Sequence, residues 1–386
     1  MKKIKCKNIV VGAGLTGATI AERIATQLGE SVTVIERRRH VGGNVADIKH
    51  MANPYLQIYG AHIFHTNNEK VWHYLSQFTE WKEYLHEVAA VVGEQLVNMP
   101  ISYNSMMHFV GLGECVKYAV ALKDAFPEAQ AVPLRAIEAA AGRLCGTEQG
   151  ELLGAFYSII ADNIFRGYTK KQWGAYAQDL DDSVWGRVPV RKERGPGYFA
   201  DKYQGLPKRG FSRMVKNMLS HRLIKVEYGV DWKEARKGAE YERLFYTGGI
   251  DEFFDCDLGR LPYRSLKFKF ESCLHSEMQA CAVYNYPSEK VDYTRRIDFG
   301  HFEKSNMPFF WRAYEFPQEY KPGENEPFYP IPTEDSRKLY DAYRHRASGL
   351  PNVHFLGRLG AYKYLDMDMA VGEALDYFEN NIKPKN

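Results

Sequence analysis

Apolar residues near the N-terminus follow the order strand, turn, helix, strand. Residues 8–36, NIVVGAGLTGATIAERIATQLGESVTVIE, start with a short apolar run, pass through closely spaced glycines, continue at helical spacing and end in VTVIE. This pattern predicts a βαβ unit. Three later apolar runs, 222–229, 243–249 and 352–358, are short and bounded by turn residues, as is typical of parallel strands buried on both faces. Because these runs lie far apart, we predict one Rossmann-like domain assembled from separated segments.

The intervening sequence changes from helical to strand periodicity. Apolar residues recur at helical intervals in NNEKVWHYLSQF, PLRAIEAAAGRLCG and TEQGELLGAFYSIIADNIF. SLKFKFES, ACAVYNYP, YTRRIDFGHF and FFWRAYEF are alternating or aromatic-rich, which predicts consecutive strands of an antiparallel sheet. We therefore predict an α/β fold with an inserted helical domain and an antiparallel β-sheet domain. The predicted boundaries are 1–80, 205–250 and 345–386 for the Rossmann-like domain, 104–178 for the helical domain, and 81–103, 179–204 and 251–344 for the sheet domain.

The charge, cysteine and tyrosine content of the chain limits the classes of function that it can have. The net charge of +3 gives no signal for a nucleic-acid partner. Six cysteines include no C-x-x-C pair, so neither a zinc knuckle nor the usual redox dithiol is predicted, and no metal site is expected. No window is apolar enough to span a membrane, and a cytoplasmic protein with reduced thiols is the simplest interpretation. The 26 tyrosines favour a polar cavity that binds rings.

The glycine turn after the first strand carries a nucleotide-binding pattern. Gly12, Ala13, Gly14 and Gly17 form G-x-G-x-x-G between a predicted strand and helix, and Glu36 ends the next strand at the expected distance. The glycines let backbone N–H groups approach a pyrophosphate at a helix N-terminus, and the carboxylate can accept from a ribose hydroxyl. The alternative is a glycine turn with no ligand.

Both ends of the chain favour FAD over NAD. After Glu36, ERRRHVGGN places a second glycine pair behind a short basic stretch, similar to FAD-binding oxidases and related flavoproteins. Near the C-terminus, Asp366 is placed to begin a helix whose N-terminus would stabilise a reduced flavin by about 1 kcal/mol. Asp366 as a cap without a ligand is the alternative.

Residues 163–174, NIFRGYTKKQWG, place aromatic rings beside basic residues and a glycine. Residue type alone favours core packing for Tyr168 and Trp173, whereas the adjoining charges favour a platform for a ring and an anion. Residues 186–210 contain seven Lys or Arg, two acids, five Gly and three Pro, which predicts a mobile basic loop that closes over an anion.

Recurring stretches across nearly the whole chain resemble the bacterial UDP-galactopyranose mutases. They include GAGLTGA, ERRRHVGGN, GAHIFHTN, FRGYTKKQWG, RVPVR, YFADKYQG, YTGGIDEFF, YRSL, NYP, YTRRIDFGHF, EPFYP and GRLGAYKYLDMD. The resemblance implies a three-domain flavoprotein, active when its FAD is reduced, that interconverts UDP-galactopyranose and UDP-galactofuranose without net redox change. It further implies attack of the flavin N5 on the anomeric carbon, a covalent flavin–sugar adduct, and a homodimer.

The resemblance also assigns residues. It implies that Arg187 and Arg295 bind the substrate diphosphate and that His62 lies against the flavin. Substrate contacts are implied for Phe165, Tyr168, Thr169, Trp173, Tyr198, Arg264, Asn285, Tyr329, Tyr364 and Ser102. Cofactor contacts are implied for Gly12, Ala13, Gly14, Gly17, Glu36, Arg37, Gly43, Asn44, His62, Ile63, Arg358, Leu365, Asp366 and Met367.

Departures from the family pattern leave the substrate open. Ser102 stands where an Asn that approaches the sugar is common, and Ile164 replaces an aromatic residue. A mutase acting on UDP-N-acetylgalactosamine or dTDP-fucose is therefore an alternative. An amine-oxidase-like flavin oxidoreductase shares the FAD pattern but does not require a diphosphate-binding Arg and Tyr set, and a non-catalytic nucleotide-sugar-binding protein would keep every contact.

Overall fold

The computed structural model describes residues 4–180, 189–192, 195, 197–303 and 307–384. Its strands are short except for two in the C-terminal half. The strands are β1 (Ile4–Lys5), β2 (Asn8–Val11), β3 (Val32–Glu36), β4 (Asp47–Ile48), β5 (Leu56–Gln57), β6 (Phe64–Thr66), β7 (Trp81–Glu83), β8 (Val88–Val92), β9 (Gln95–Met99), β10 (Ala131–Val132), β11 (Val190–Arg191), β12 (Tyr203–Pro207), β13 (Ile224–Tyr228), β14 (Ala239–Glu240), β15 (Arg243–Tyr246), β16 (Tyr263–Leu274), β17 (Val283–Asn285), β18 (Arg295–Asp298), β19 (Phe309–Glu319), β20 (Tyr329–Pro330) and β21 (Val353–Phe355).

Helices connect these strands and also form a separate cluster in the middle of the chain. The α-helices are α1 (Leu15–Arg23), α2 (Glu69–Ser76), α3 (Leu112–Ala125), α4 (Leu134–Arg143), α5 (Glu148–Ile160), α6 (Arg166–Trp173), α7 (Phe211–Met218), α8 (Trp232–Ala235), α9 (Ile250–Phe253), α10 (Glu334–Ala347), α11 (Gly357–Gly360) and α12 (Met367–Tyr377). A π-helical turn, Ala161–Phe165, joins α5 to α6.

The chain divides into two compact units. The first contains Met1–Tyr84, Asp201–Ser265 and Tyr320–Asn386, and the second contains Leu85–Ala200 and Leu266–Glu319. Each unit is therefore built from segments that are separated in sequence.

A five-stranded parallel sheet forms the core of the first unit. Its order is β13-β3-β2-β15-β21, and its neighbouring strands pair in parallel, which confirms the prediction of one sheet from distant segments. Ile9, Val10 and Val34 are fully buried because both faces are covered. Helix α1 packs against β2 and β3 and against α7 and α12.

A smaller antiparallel sheet in the first unit has the order β6-β12-β7. Here the loop predicted over 186–210 is wrong in part, since Tyr203–Pro207 form the central strand of this sheet. Gly205 explains how a Gly- and Pro-containing segment pairs on both sides, because a Cβ there would lie 2.8 Å from the Lys82 carbonyl oxygen.

The second unit contains the predicted antiparallel sheet. Its strands follow the order β16-β19-β18-β17-β8-β9, and β20 pairs with residues Tyr263 and Arg264 of β16 within the first unit. Two details differ from the prediction of consecutive strands. Strand β16 neighbours β19 instead of β17, and β17 pairs in parallel with β8. Both depend on partners distant in sequence, which a local pattern does not encode.

Helices α3, α4 and α5 pack together in the second unit, and α6 packs against β19. Within the described ranges, no helix is long and apolar enough to cross a membrane.

Candidate functional site

The glycine turn of the first unit is shaped for close approach of its backbone to a ligand. Gly12 has φ +102°, and a Cβ at Gly17 would lie 2.0 Å from the Gly12 carbonyl oxygen, so α1 begins in direct backbone contact with the turn. Gly43 lies against Gly14, since a Cβ at Gly43 would be 3.2 Å from the Gly14 Cα. The two predicted glycine motifs therefore form one cradle without side chains.

Glu36 lies beside this cradle at the end of β3. Its Oε2 accepts from the Ala13 N–H at 2.8 Å, and its Oε1 accepts from the Arg38 N–H at 2.8 Å. The carboxylate is 5% exposed and retains acceptor capacity beyond these two bonds. Glu36 thus fixes the turn and remains suited to accept from a ribose hydroxyl.

The basic stretch after Glu36 is ordered by an acid from a distant segment. Arg37 and Arg38 both pair with Glu326, the latter at 3.0 Å, and Arg38 also donates to the Asn44 Oδ1 at 3.2 Å. The pattern places these residues next to the glycines, but Glu326 is brought there by folding. The stretch EPFYP begins with Glu326, but nothing in it predicts a contact with Arg37 or Arg38.

His62 and Ile63 follow the β5 strand in the first unit. The amide side chain of Gln57 bonds both the N–H and the carbonyl of His62. The His62 Nδ1 lies 3.0 Å from the Gly60 carbonyl oxygen, which can only accept, so Nδ1 carries the proton and Nε2 of a neutral ring is an acceptor. Ile63 is buried.

The C-terminal cofactor candidates surround the start of α12. Asp366 stands at its N-cap position, as predicted, but its side chain makes no capping hydrogen bond, and the Asp366 carbonyl accepts from the Ala370 N–H at 2.9 Å. Met367 begins the helix, and Leu365 is buried. Arg358 donates to the Leu365 carbonyl at 2.6 Å, which ties the preceding α11 to the helix start.

Arg358 also orders two candidate substrate tyrosines in the first unit. Tyr329 and Tyr364 stack with centroids 5.2 Å apart and planes 9° apart, and the Arg358 Cζ lies 5.2 Å and 5.3 Å from their centroids. Arg264 pairs with Tyr329 across the β16–β20 ladder. The predicted cofactor residue Arg358 and the predicted substrate tyrosines therefore form one cluster.

In the second unit, the structure joins Tyr168 of α6 to Arg295 of β18. The Arg295 Nε donates to the Tyr168 hydroxyl at 2.9 Å, and the Arg295 Nη1 lies 3.6 Å from the Glu315 Oε2. Burial raises the pKa of Tyr168 to about 12, so its hydroxyl stays neutral at physiological pH. The Arg295 side chain remains 34% exposed, so its guanidinium can reach an anion.

Asn285, Arg295 and Glu315 form a polar row across three neighbouring strands. Asn285 opposes Arg295, which opposes Glu315. Burial raises the pKa of Glu315, which is 1% exposed at its side chain. Among the described residues, no donor reaches the buried Asn285 Oδ1. An unsatisfied amide oxygen beside a partly exposed guanidinium is unusual in a sheet that serves only as a scaffold.

The other substrate candidates of the second unit have varied surroundings. Thr169 and Trp173 are buried on α6, and Phe165 is half-buried at its start. Ser102 is buried and engaged with the backbone and hydroxyl of Ser105, where it caps the turn Tyr103–His108. The Tyr198 N–H donates to the His86 carbonyl at 2.6 Å.

Two predictions depend on residues that the structure does not describe. Arg187 lies outside the described residues, as does part of the proposed basic loop. Sequence reasoning missed Glu315, whose only signal is an acid within the aromatic strand FFWRAYEF, and Gln57, which has no local signal. No cluster of three or more metal-ligating side chains occurs within the residues described above.

Known proteins resemble this chain over most of its length. Residues 163–364 match the family model described as UDP-galactopyranose mutase, and residues 10–78 match an NAD(P)-binding Rossmann-like domain. A probable UDP-galactopyranose mutase of Klebsiella pneumoniae is 36% identical over 96% of this chain and 93% of its own length. A dTDP-fucopyranose mutase of Escherichia coli is 29% identical over 97% of this chain and 99% of its own length.

A solved structure has the same fold. The crystal structure of a reduced UDP-galactopyranose mutase superposes with a TM-score of 0.71, covering 97% of this chain and 93% of that one at 15% identity. The family match includes the α6 segment, the polar row and the Arg358 cluster. With a family model that spans these features and a 36% identical relative that spans nearly the whole chain, this protein belongs to the UDP-galactopyranose mutase family.

Proposed function

We propose that this chain is a flavin-dependent isomerase that interconverts UDP-galactopyranose and UDP-galactofuranose. The observation that carries the proposal is the Tyr168–Arg295 pair, in which a guanidinium holds an aromatic ring in place while staying accessible to an anion. A uracil ring and a diphosphate are the two parts of UDP that such a pair can bind.

The first unit has the residues to hold FAD. The cradle of Gly12, Gly14, Gly17 and Gly43 has no glycine side chain that would keep a pyrophosphate from its backbone, and Glu36 can accept from a ribose. The N-terminus of α12 provides a positive dipole end for the flavin. When bound and reduced, FAD supplies an electron-rich centre for chemistry at the anomeric carbon.

The side chains of this protein supply binding and electrostatics. Arg295 would bind the diphosphate and stabilise its charge as it leaves the anomeric carbon. The unsatisfied Asn285 Oδ1 is suited to accept an N–H or O–H of the nucleotide sugar. Tyr329 and Tyr364 are assigned to the phosphates by family resemblance, and the Arg358 contacts would keep their hydroxyls oriented.

Arg187 and Tyr198 complete the proposal by resemblance. Arg187 would act on the diphosphate together with Arg295, and the Tyr198 hydroxyl would donate to the same phosphates. We also propose a cytoplasmic location, a homodimer and a division into three domains. These proposals rest on composition and family resemblance.

We expect Tyr168→Ala to weaken UDP binding by about 1–3 kcal/mol, because a base loses its stacking surface. Tyr168→Phe should keep most of the affinity, since the ring remains and only the hydroxyl contact to Arg295 is lost. Calorimetric titration with UDP measures both variants.

The control for this titration is Tyr176→Ala, which removes an exposed ring that lies under Lys170 just beyond α6. Its UDP affinity should equal that of the wild type. Wild-type affinity in folded Tyr168→Ala would instead assign the ring to core packing.

The substrate is tested by comparing kcat/KM for three nucleotide sugars, each given separately. The reduced enzyme is given UDP-galactofuranose, or UDP-N-acetylgalactosamine or dTDP-fucose in furanose form, and products are separated by chromatography. We expect the highest kcat/KM for UDP-galactofuranose. A preference for the dTDP sugar, the substrate class named for the Escherichia coli relative, would overturn UDP-galactose as the substrate but leave the isomerase activity in place. Consumption of an oxidisable amine with flavin reduction would replace the isomerase with an oxidoreductase.

A further inference from the structure

Lys171 on α6 is held in a cage of backbone oxygens. Its Nζ lies 2.6 Å from the Tyr286 carbonyl oxygen, 2.8 Å from that of Ser288, 3.1 Å from that of Val291 and 2.9 Å from that of Tyr293. All four carbonyls belong to the hairpin between β17 and β18, and an ammonium has three N–H donors, so at least one donor is shared. One side chain thus ties a whole turn to one helix.

The ammonium form dominates in this cage at neutral pH. Burial lowers the pKa of Lys171 to about 8, and Asp292 and Glu289 oppose that shift. The group therefore keeps its three donors in most molecules at pH 7. A charged donor also bonds carbonyls more strongly than a neutral one.

Two further contacts join α6 to the same hairpin. A Cβ at Gly167, one turn before Lys171, would lie 2.5 Å from the Pro287 carbonyl oxygen, so the helix and the hairpin touch backbone to backbone. Beyond Lys171, the Thr294 hydroxyl lies 3.3 Å from the Gln172 Oε1. These contacts follow the helix and define one docking surface.

The hairpin that Lys171 holds connects the two strands bearing ligand candidates. Asn285 ends β17 just before it, and Arg295 begins β18 just after it. Helix α6 carries Tyr168, which accepts from Arg295. The distance between the ring and the guanidinium therefore depends on how α6 docks on the hairpin.

We propose that Lys171 is a positioning residue for the nucleotide, setting the placement of Tyr168 relative to Arg295 and Asn285. The proposal deepens the proposed function and rests on it, since the nucleotide is UDP only if that function holds. Lys171 itself touches no reacting group here and acts through the hairpin.

The adjacent Lys170 provides a matched control. Its Nζ pairs with the Glu289 carboxylate of the same hairpin at 2.9 Å and lies over the exposed Tyr176 ring, but this contact is a solvent-exposed side-chain pair that involves none of the caged carbonyls. Such an exposed pair contributes little to stability or geometry. Removing Lys170 or Lys171 changes the net charge equally, and only Lys171 contacts the cage.

The test compares Lys171→Met with Lys170→Met in the FAD-loaded protein. We expect the UDP dissociation constant to rise at least tenfold in Lys171→Met and to stay within twofold in Lys170→Met. The KM for the nucleotide sugar should rise with the dissociation constant, while kcat changes less, because the defect lies in nucleotide placement. FAD content should remain close to wild type, because the glycine cradle belongs to the other compact unit, whereas a general loss of folding would release the flavin.

Two more variants test the positioning role of Lys171 if Lys171→Met does not fold. Lys171→Arg retains the charge, but a planar fork cannot point at four converging carbonyls, so UDP affinity should fall between those of wild type and Lys171→Met. Gly167→Ala keeps Lys171 and raises helix propensity, but the new Cβ would force α6 away from the Pro287 carbonyl. This variant should therefore also weaken UDP binding.

The outcomes separate this inference from the proposed function. If the wild type does not bind UDP, the proposed function fails and the positioning role falls with it. If the wild type binds UDP and folded Lys171→Arg and Gly167→Ala bind it equally well, the positioning role is overturned while the function stands. Equal losses in the Lys170 and Lys171 variants would reduce the effect to net charge and also overturn it.

Discussion

Replacing Arg295 by alanine should lower turnover of UDP-galactofuranose by a hundredfold or more, equivalent to about 3 kcal/mol of transition-state stabilisation. The guanidinium is the partly exposed cation of the polar row, and the departing diphosphate gains charge as the anomeric bond breaks. Loss of Arg295 would also leave the buried Glu315 without the cation at 3.6 Å. FAD content should not change, since the glycine cradle belongs to the other compact unit. Steady-state kinetics and flavin absorbance measure the two effects.

Arg296→Ala is the matched control for this experiment. Arg296 is the next residue of β18 and so points to the opposite face, where its Nε donates to the Gln279 Oε1 at 2.9 Å. Its turnover should stay within a few-fold of wild type. Arg295→Lys should rescue only partly, because an ammonium lacks the bidentate fork. Wild-type turnover in Arg295→Ala would remove this residue from the reaction.

Gly17→Ala should abolish stable FAD binding, with at least a tenfold fall in flavin per chain after ultrafiltration. Helix propensity alone predicts the opposite, because alanine favours a helix interior by about 1 kcal/mol over glycine. Steric overlap decides the outcome, since the new Cβ would lie 2.0 Å from the Gly12 carbonyl oxygen and 3.1 Å from the Val10 Cγ1. Relief would require α1 to move away from the cradle.

The matched control is Gly238→Ala, also in the first unit, where a Cβ meets no atom within 4 Å. This variant should bind FAD stoichiometrically. Full flavin content in Gly17→Ala would mean that the close contact between α1 and the turn is not needed for the cofactor.

The fold was predictable where the information is local. The βαβ unit, the strands at 224–228, 243–246 and 353–355, and α2, α4 and α5 follow from apolar periodicity and bounding turn residues. The position of β17 beside β8 was not predictable from the sequence, because residues 283–285 and 88–92 meet only in the folded chain. The strand at 203–207 was missed because Gly205 and Pro207 read as loop residues, although close packing against Lys82 requires the glycine.

The residues of the candidate site likewise divide into those that a local motif predicts and those that only folding brings together. Gly12, Glu36 and Asp366 were predicted with a physical reason, since each belongs to a local motif with a fixed place on a strand or helix. Family resemblance added Arg295 and Asn285, whose residue types alone do not separate them from ordinary sheet residues. The roles of Glu315 and Lys171 depend on contacts between segments distant in sequence, so the basic residues of TKKQW did not reveal which lysine is caged.

If this protein isomerises a UDP-sugar with reduced FAD and without net electron transfer, its activity requires a reduced flavin but consumes no reductant. The direct test is anaerobic conversion of UDP-galactofuranose to UDP-galactopyranose by one preparation, first oxidised and then reduced with dithionite, with product counted against reducing equivalents. We expect negligible conversion by the oxidised protein and, after reduction, many turnovers for each reducing equivalent supplied. Equal activity in both states, or one equivalent consumed per product formed, would contradict it.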